Sequence, residues 1–176
     1  MTTQYLFAGF GGQGILFAGK LLAYKGLMEE KNVSWLPSYG PEMRGGTANC
    51  SVILSDDPVG APIVLEPDVL IAMNLPSLDK YENDVVPGGK IYVDSSLIER
   101  KVTRTDVDVV YIPATKMASE NGLDTLANMI IVGKVLEDAG AFNEDTIDKA
   151  LGKCISARHA DLLDFNKKAM HLGKEF

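Results

Sequence analysis

The sequence has few of the residues that build self-sufficient reactive sites. Its 176 residues contain two cysteines, Cys50 and Cys154, and two histidines, His159 and His171. The cysteines have neither the paired spacing of a zinc or iron–sulfur site nor the density of a secreted disulfide scaffold. Neither histidine has a carboxylate, cysteine or serine partner that the sequence places for catalysis or metal binding. We therefore expect buried free thiols, surface histidines, and no catalytic residue or metal site on this chain alone.

Positive charge and long hydrophobic runs are also scarce. The chain has 17 Lys and Arg against 24 Asp and Glu, a formal net charge of -7. A negative field of this kind repels nucleic-acid phosphates and anionic lipids. No apolar run reaches the roughly 18 residues that a membrane span needs, and the first residues lack the basic stretch of a signal peptide. We expect a cytoplasmic protein without nucleic-acid or membrane partners, folded as a single domain over residues 1–176.

Apolar strand-like runs alternate with helical patterns along most of the chain. The pattern from residue 48 to residue 69 contains strands with no helix between them, which indicates an antiparallel part of the sheet. The sequence therefore predicts a three-layer α/β sandwich with a mixed, mostly parallel sheet and a Rossmann-like start. Strands are predicted at 5–8, 33–36 (stopping at Pro37), 47–54, 69–73, 91–93 and 107–112. Helices are predicted at 15–27 and 76–81, along an apolar stripe from Leu123 to Leu136 that ends at Gly140, at 144–154 with Asn143 as its cap, and at 157–173.

A glycine-rich turn follows the first predicted strand. Gly9, Gly11 and Gly14 satisfy the G-x-G-x-x-G spacing of dinucleotide sites, where glycine lets the backbone approach an anion at a helix start. The ribose-binding acid of such sites should end the second strand, but here that strand runs into Pro37 and Ser38. Gln13 adds a side chain that either meets a partner or closes the turn. A structural turn and an anion or subunit contact remain open, and both are favoured over NAD.

A second loop, residues 38–46, is expected at the same carboxyl end of the sheet. Arg44 is suited to gripping a carboxylate or phosphate with two hydrogen bonds. The alternative is that Glu42 and Arg44 form structural ion pairs at a subunit interface. Polar residues also follow three later strands, where they either complete a polar site or cap helices, with Ser77 and Ser95 as the expected caps. These are residues 74–77, 94–96 and 113–115.

Together the two loops resemble the gamma subunit of 2-oxoacid:ferredoxin oxidoreductases, which is equivalent to domain III of single-chain pyruvate:ferredoxin oxidoreductase. The resemblance covers most of the chain and includes the ordered segments 9–22, 37–52, 67–74 and 94–96. Indolepyruvate-type relatives have a shorter second loop. The stretch from Tyr39 to Glu42 therefore favours the pyruvate, 2-oxoisovalerate or 2-oxoglutarate branch.

The resemblance implies oxidative decarboxylation of a 2-oxoacid, with coenzyme A accepting the acyl group and ferredoxin the electrons. It further implies a complex with alpha, beta and delta-type subunits, which uses thiamine diphosphate, magnesium and iron–sulfur clusters. No cofactor is expected to be bound firmly by this chain. The compact separate chain favours 2-oxoglutarate as substrate, and the alternative is a free-standing nucleotide-binding Rossmann-like enzyme. The residues expected near cofactor or active site are Gly9, Gly11, Gly12, Gln13, Gly14, Ser38, Tyr39, Gly40, Pro41, Glu42, Arg44, Gly45 and Gly46.

Overall fold

The computed structural model of the protein describes residues 1–38 and 47–176. Short 3-10 helices lie at Glu82–Asp84 and Ala157–His159. The strands are β1 (Thr2–Phe10), β2 (Asn32–Ser38), β3 (Thr47–Ser55), β4 (Val69–Ala72), β5 (Lys90–Asp94) and β6 (Asp108–Ile112). The helices are α1 (Ile15–Met28), α2 (Leu75–Tyr81), α3 (Ala114–Glu120), α4 (Ala127–Asp138), α5 (Glu144–Cys154) and α6 (Ala160–Glu175).

The strands form one six-stranded sheet in the order β2-β3-β1-β4-β5-β6. β3 pairs antiparallel with both β1 and β2, whereas β1, β4, β5 and β6 pair in parallel. Within the described residues, β3 is therefore the one strand that runs against the other five. The predicted mixed, mostly parallel sheet is confirmed, with its antiparallel part where the pattern after residue 48 placed it.

The end of β2 differs from the prediction. Pro37 does not stop the strand, because β2 continues to Ser38 and Pro37 pairs with Cys50 of β3. β2 lies at the edge of the sheet, with β3 on its only described side. An edge strand leaves one row of N–H groups without ladder partners, so a proline is tolerated there.

The sheet buries apolar side chains on both faces. Alternate residues of a strand point to opposite faces, so Phe7 joins one cluster and Leu6 the other. The first cluster packs against α1, α3, α4, α5 and α6. The second is covered more thinly, by Leu78 of α2 and by irregular segments that carry Val64 and Ile98. The helices thus form unequal layers on the two sides of the sheet.

The helices of the last third follow the prediction in part. Asn143 caps α5 as expected, since its side chain accepts from the backbone N–H of Thr146 at 3.1 Å. Gly140 follows the end of α4 in the left-handed conformation, as a helix stop requires. The expected stripe is not one helix, however. Leu123 lies in the connection between α3 and α4, where it is buried in the first hydrophobic cluster.

The last predicted helix begins with the 3-10 turn at residues 157–159 and continues as α6 to Glu175. Every helix in the described part of the chain falls short of the length or the apolar character that crossing a membrane requires.

Candidate functional site

The carboxyl ends of β1 and β4 flank the candidate ligand crevice of this sheet. β1 is connected through α1 to β2, which lies to one side of β1 in the strand order, and α1 packs on one face of the sheet. β4 is connected through α2 to β5, which lies in the opposite direction in the strand order, and α2 packs on the other face. Ligands of open α/β sheets bind at such a reversal of strand order, outside the carboxyl ends of the strands.

Gln13 spans this crevice with its side chain. Its Oε1 accepts from the backbone N–H of Phe10 at 2.6 Å, and its Nε2 donates to the carbonyl of Met73 at 2.9 Å. One amide therefore closes the turn after β1 and ties it to the chain leaving β4, 60 residues later. The turn is further closed by the N–H of Gln13, which donates to the Phe10 carbonyl at 3.2 Å. Of the two predicted roles, Gln13 performs turn closure.

The glycines beside Gln13 are required by geometry. Gly12 and Gly14 have φ values of 94° and 71°, which L side chains rarely adopt. A Cβ on Gly9 would lie 2.6 Å from Gln13 Oε1. A Cβ on Gly14 would lie 3.0 Å from the Asn128 side-chain carbon and nearer still to its Nδ2, which donates to the Gly14 carbonyl at 3.0 Å. The motif therefore packs a tight turn against α4 in addition to starting α1.

A cleft of about 320 Å³ opens beside this turn. Gly12 and Gln13 form one wall, and α3 and the turn before α4 form the other. Asp124 is the only charged residue among its described lining residues, so no described cation is placed to hold a phosphate. Thr125 has a φ of 75°, which is rare for a β-branched residue. The cleft suits a polar, uncharged group or a partner's side chain better than a pyrophosphate.

The sheet order also argues against a dinucleotide site. In that fold the second strand lies next to the first and carries the ribose-binding acid. Here β3, antiparallel, occupies that place, and β2 is displaced to the edge. The acid that the sequence lacks at Ser38 would therefore lie two strands away from the glycine turn. The free-standing nucleotide-binding alternative is not favoured.

The second loop begins and returns at the same end of the sheet. Ser38 ends β2 opposite Asn49, and Thr47 starts β3 opposite Phe10, the last residue of β1. Both described ends thus lie at the expected end of the sheet, Thr47 beside the glycine turn and Ser38 two strands away from it. The other residues named for this loop lie outside the described residues: Tyr39, Gly40, Pro41, Glu42, Arg44, Gly45 and Gly46.

The polar residues after β4 and β5 contact the starts of α2 and α3, but Ser77 and Ser95 are not the caps that were expected. Asn74, and not Ser77, caps α2, because its Oδ1 accepts from the Ser77 N–H at 2.8 Å. Asp94 accepts from the Thr115 hydroxyl at 2.6 Å, and the Ser96 hydroxyl accepts from the Lys116 N–H at 3.0 Å at the start of α3. Ser95 takes no part in this arrangement. The carboxylate at the end of β5 is thereby used inside the structure.

The cysteines and histidines lie outside the candidate cleft. Cys50 is fully buried on β3, and burial raises the pKa of its thiol to about 12. The Nε2 of His171 lies 2.9 Å from the Glu144 carboxylate, between α6 and α5, and sequence spacing did not reveal this carboxylate partner. His159 is exposed. In the described part of the chain, no three His, Cys, Asp or Glu side chains are grouped to hold a metal ion.

A larger cleft of about 560 Å³ lies at the opposite, amino end of the sheet. Several of its polar groups pair with one another: the Tyr92 hydroxyl donates to Asp138 at 3.1 Å, and the Lys90 ammonium lies 3.9 Å from the same carboxylate. The smaller carboxyl-end cleft is therefore the candidate functional site, because the reversal of strand order and the glycine turn coincide there.

Comparison with known proteins identifies the family. Residues 4–176 match the family described as pyruvate ferredoxin/flavodoxin oxidoreductase. The chain is 37% identical to ketoisovalerate oxidoreductase subunit VorA of Methanothermobacter thermautotrophicus, over 96% of this chain and 35% of VorA. It is 34% identical to 2-oxoglutarate synthase subunit KorC of Methanocaldococcus jannaschii, over 95% of this chain and 92% of KorC.

A solved structure supports the same assignment. The gamma subunit of a keto/oxoacid ferredoxin oxidoreductase from Geobacter sulfurreducens superimposes with a TM-score of 0.82 at 27% identity, over 98% of this chain and 96% of that one. The chain spans about a third of the length of VorA but nearly all of KorC. The chain belongs to the pyruvate ferredoxin/flavodoxin oxidoreductase family.

Proposed function

We propose that this chain is the gamma subunit of a multi-subunit 2-oxoacid:ferredoxin oxidoreductase and takes part in coenzyme A-dependent oxidative decarboxylation. The observation that carries the proposal is the match over 92% of KorC, a chain of similar extent that is itself named a subunit. The site is consistent with this, because the crevice offers a backbone turn held by Gln13 and a cleft in which Asp124 is the one charged residue among the described lining residues.

The described residues do not fit the redox cofactors that the resemblance implies. Iron–sulfur clusters need several cysteine thiolates, whereas Cys50 is buried on β3 and Cys154 lies on α5. A magnesium diphosphate needs grouped oxygen ligands, which the described residues lack. We therefore assign thiamine diphosphate, magnesium and the clusters to alpha, beta and delta-type partner subunits, and electron transfer to ferredoxin to the assembled complex.

This chain's own contribution is to present a rigid edge to the shared active site. The amide oxygen and nitrogen of Gln13 both hold the turn. The Asn128 amide donates to the carbonyl of Gly14, the residue that precedes α1. A pre-organised edge loses little entropy when a coenzyme A group or a partner loop is placed against it. The residues proposed to lie near that site are the turn 9–14 and the loop 38–46.

We propose 2-oxoglutarate as the substrate. The 2-oxoglutarate synthase subunit KorC matches this chain over nearly its full length, whereas the ketoisovalerate subunit VorA is a much longer polypeptide. The slightly higher identity to VorA makes 2-oxoisovalerate the competing substrate. Turnover of the complex with each 2-oxoacid separates the two.

Reconstitution tests the function. The chain is combined with the other subunits of its oxidoreductase, and coenzyme A-dependent reduction of ferredoxin is measured with 2-oxoglutarate, 2-oxoisovalerate and pyruvate. We expect turnover only when this chain is present, and fastest with 2-oxoglutarate. Full activity of the remaining subunits without it would refute the proposal.

A matched pair of variants tests the site. Gln13→Ala frees the turn, and a misplacement on the order of 1 Å lowers turnover by up to about 100-fold. Gln4→Ala changes the same residue type at the opposite end of β1 and should leave turnover near wild type. Equal activity of the two variants in an assembled complex would show that the turn has no role near the active site.

A further inference from the structure

The segment of residues 58–65, Pro58 to Leu65, is an exposed stretch without a charged residue. We call it the apolar segment. It has no helix or strand, and it crosses the thinly covered face of the sheet between β3 and β4. In this chain, where 23% of residues are charged, such a stretch on the surface needs a physical explanation.

The apolar segment is held in place by its inward-facing residues. Val64 is buried in the second hydrophobic cluster, and its N–H donates to the Ser51 hydroxyl at 3.2 Å. Val59 packs against the same cluster. The neighbours of Val64 point the other way: Ile63 is 57% exposed and Leu65 is 74% exposed. Because its inner side is anchored, the segment presents Ile63 and Leu65 on a fixed surface.

Carboxylates lie at both ends of the apolar segment. Asp57 precedes it and Glu66 follows it, and both are exposed. Neither side chain is in an ion pair with another residue of the described ranges 1–38 and 47–176. The neighbouring Asp56, by contrast, is paired with the N-terminal amine and with Lys31. The surface thus has an apolar centre with negative charge at its rim, the arrangement typical of a protein interface.

We infer that the apolar segment is the docking surface for a partner subunit that carries an apolar patch flanked by lysine or arginine. This inference rests on the proposed function. The match covers only 35% of VorA, so about two thirds of that polypeptide lies outside the matched domain and has to share surfaces with it. In a separate gamma subunit, a partner chain supplies those surfaces.

Charge argues against two other occupants. A second copy of this chain would bring Asp57 and Glu66 against identical carboxylates across a two-fold interface, and like charges so placed oppose association. An anionic membrane surface would be repelled in the same way. A basic rim on a partner subunit satisfies both carboxylates while the apolar centre becomes buried.

The test uses the full chain and the other subunits of its oxidoreductase, with complex formation measured by analytical ultracentrifugation and by surface binding kinetics. Ile63→Ser with Leu65→Ser removes the apolar centre. The control is Leu162→Ser with Phe165→Ser, an exposed apolar pair on α6 with 42% and 48% exposure. We expect the first double variant to bind about 100-fold more weakly, because two anchor side chains are lost, and the control to bind like wild type.

A second pair of substitutions tests the rim. Asp57→Lys with Glu66→Lys should slow association at least about tenfold at low salt and reverse its salt dependence, because rim charges act mainly on the association rate. The isolated variants should melt within about 2 °C of wild type, since surface substitutions away from packed features change stability little.

The outcomes separate this inference from the proposed function. Unchanged binding of the Ile63 and Leu65 double variant, or equal loss with the α6 control, would overturn the docking surface. Unchanged association of the charge-reversed variant would overturn the basic rim. Failure of the wild-type chain to join the complex at any salt concentration would instead refute the proposed function.

Discussion

The crossing of α4 and α6 gives the sharpest test of the packing in this fold. The two helices meet at Gly133 and Gly173, each against the backbone of the other helix. A Cβ on Gly173 would lie 2.7 Å from the Ile130 carbonyl carbon and nearer still to its oxygen. A Cβ on Gly133 meets Met170 in the same way, at 2.7 Å from its carbonyl carbon. Ordinary contacts of a Cβ lie at 3.4–4 Å.

Gly173→Ala therefore forces the helices apart by about 0.7 Å or more, and the obstacle is backbone that cannot rotate away. Overpacking of a well-packed interior costs about 1–3 kcal/mol, and the upper end applies because Ile130 and Met170 are fully buried at the crossing. The better helix propensity of alanine offsets about 1 kcal/mol. The expected net loss is about 2 kcal/mol, or a decrease in Tm of about 4–8 °C.

Gly152→Ala is the matched control. Gly152 lies within α5, and a Cβ there would meet nothing within 4 Å. The same substitution should therefore stabilise the protein by about 0.5–1 kcal/mol through helix propensity alone. Thermal melting followed by circular dichroism, with urea unfolding for the free energy, measures both. A Tm of Gly173→Ala at or above that of wild type would refute the close helix crossing.

Three further predictions concern a thiol, a cap and a salt bridge. At pH 8, iodoacetamide should modify native Cys50 about 1000-fold more slowly than a free thiol, because its pKa is raised from 9.0 to about 12 by burial; rapid labelling read by mass spectrometry would contradict this. Asn143→Ala should lower the free energy of unfolding by about 1 kcal/mol by removing the cap of α5, and an unchanged urea midpoint would count against the cap. The Lys31 ammonium and the N-terminal amine hold the pKa of Asp56 at about 2, below its usual 3.8. The contribution of Asp56 to stability is therefore present above pH 3.8 and is lost as pH falls towards 2. Asp56→Asn should flatten that part of the curve of stability against pH, and equal slopes for variant and wild type would exclude the contact of Asp56 with Lys31 and the N-terminal amine.

Local sequence patterns predicted the elements whose formation depends on near neighbours. α5 begins and ends where its cap residue and apolar spacing placed it, and Gly140 ends α4 through its own backbone conformation. The boundary before α4 was wrong. Leu123 is buried like a helical stripe residue but lies in a turn. Apolar periodicity reports burial, and a buried turn produces the same pattern as a helix.

The residues at the helix starts were likewise predicted only in part. The sequence placed polar residues after β4 and β5 but did not distinguish Asn74 from Ser77 as the cap of α2, or Ser96 from Ser95 as the hydroxyl that accepts from the first turn of α3. The choice depends on where α2 and α3 begin relative to the strand ends. That position is decided by packing of the helix on the sheet, and neighbouring polar residues are chemically equivalent candidates for it.

The sequence by itself determined the α/β class, the glycine turn and the absence of a ribose-binding acid, because these depend on residue types and short spacings. Only the tertiary structure decided that β3 separates β2 from β1, and that Gln13 reaches Met73 across the crevice. Contacts between residues far apart in the chain depend on the order of strands in the sheet, which local preferences do not encode. For the glycine turn the sequence left a structural role and an anion or subunit contact open, and the folded protein shows that the Gln13 side chain closes the turn and ties it to Met73.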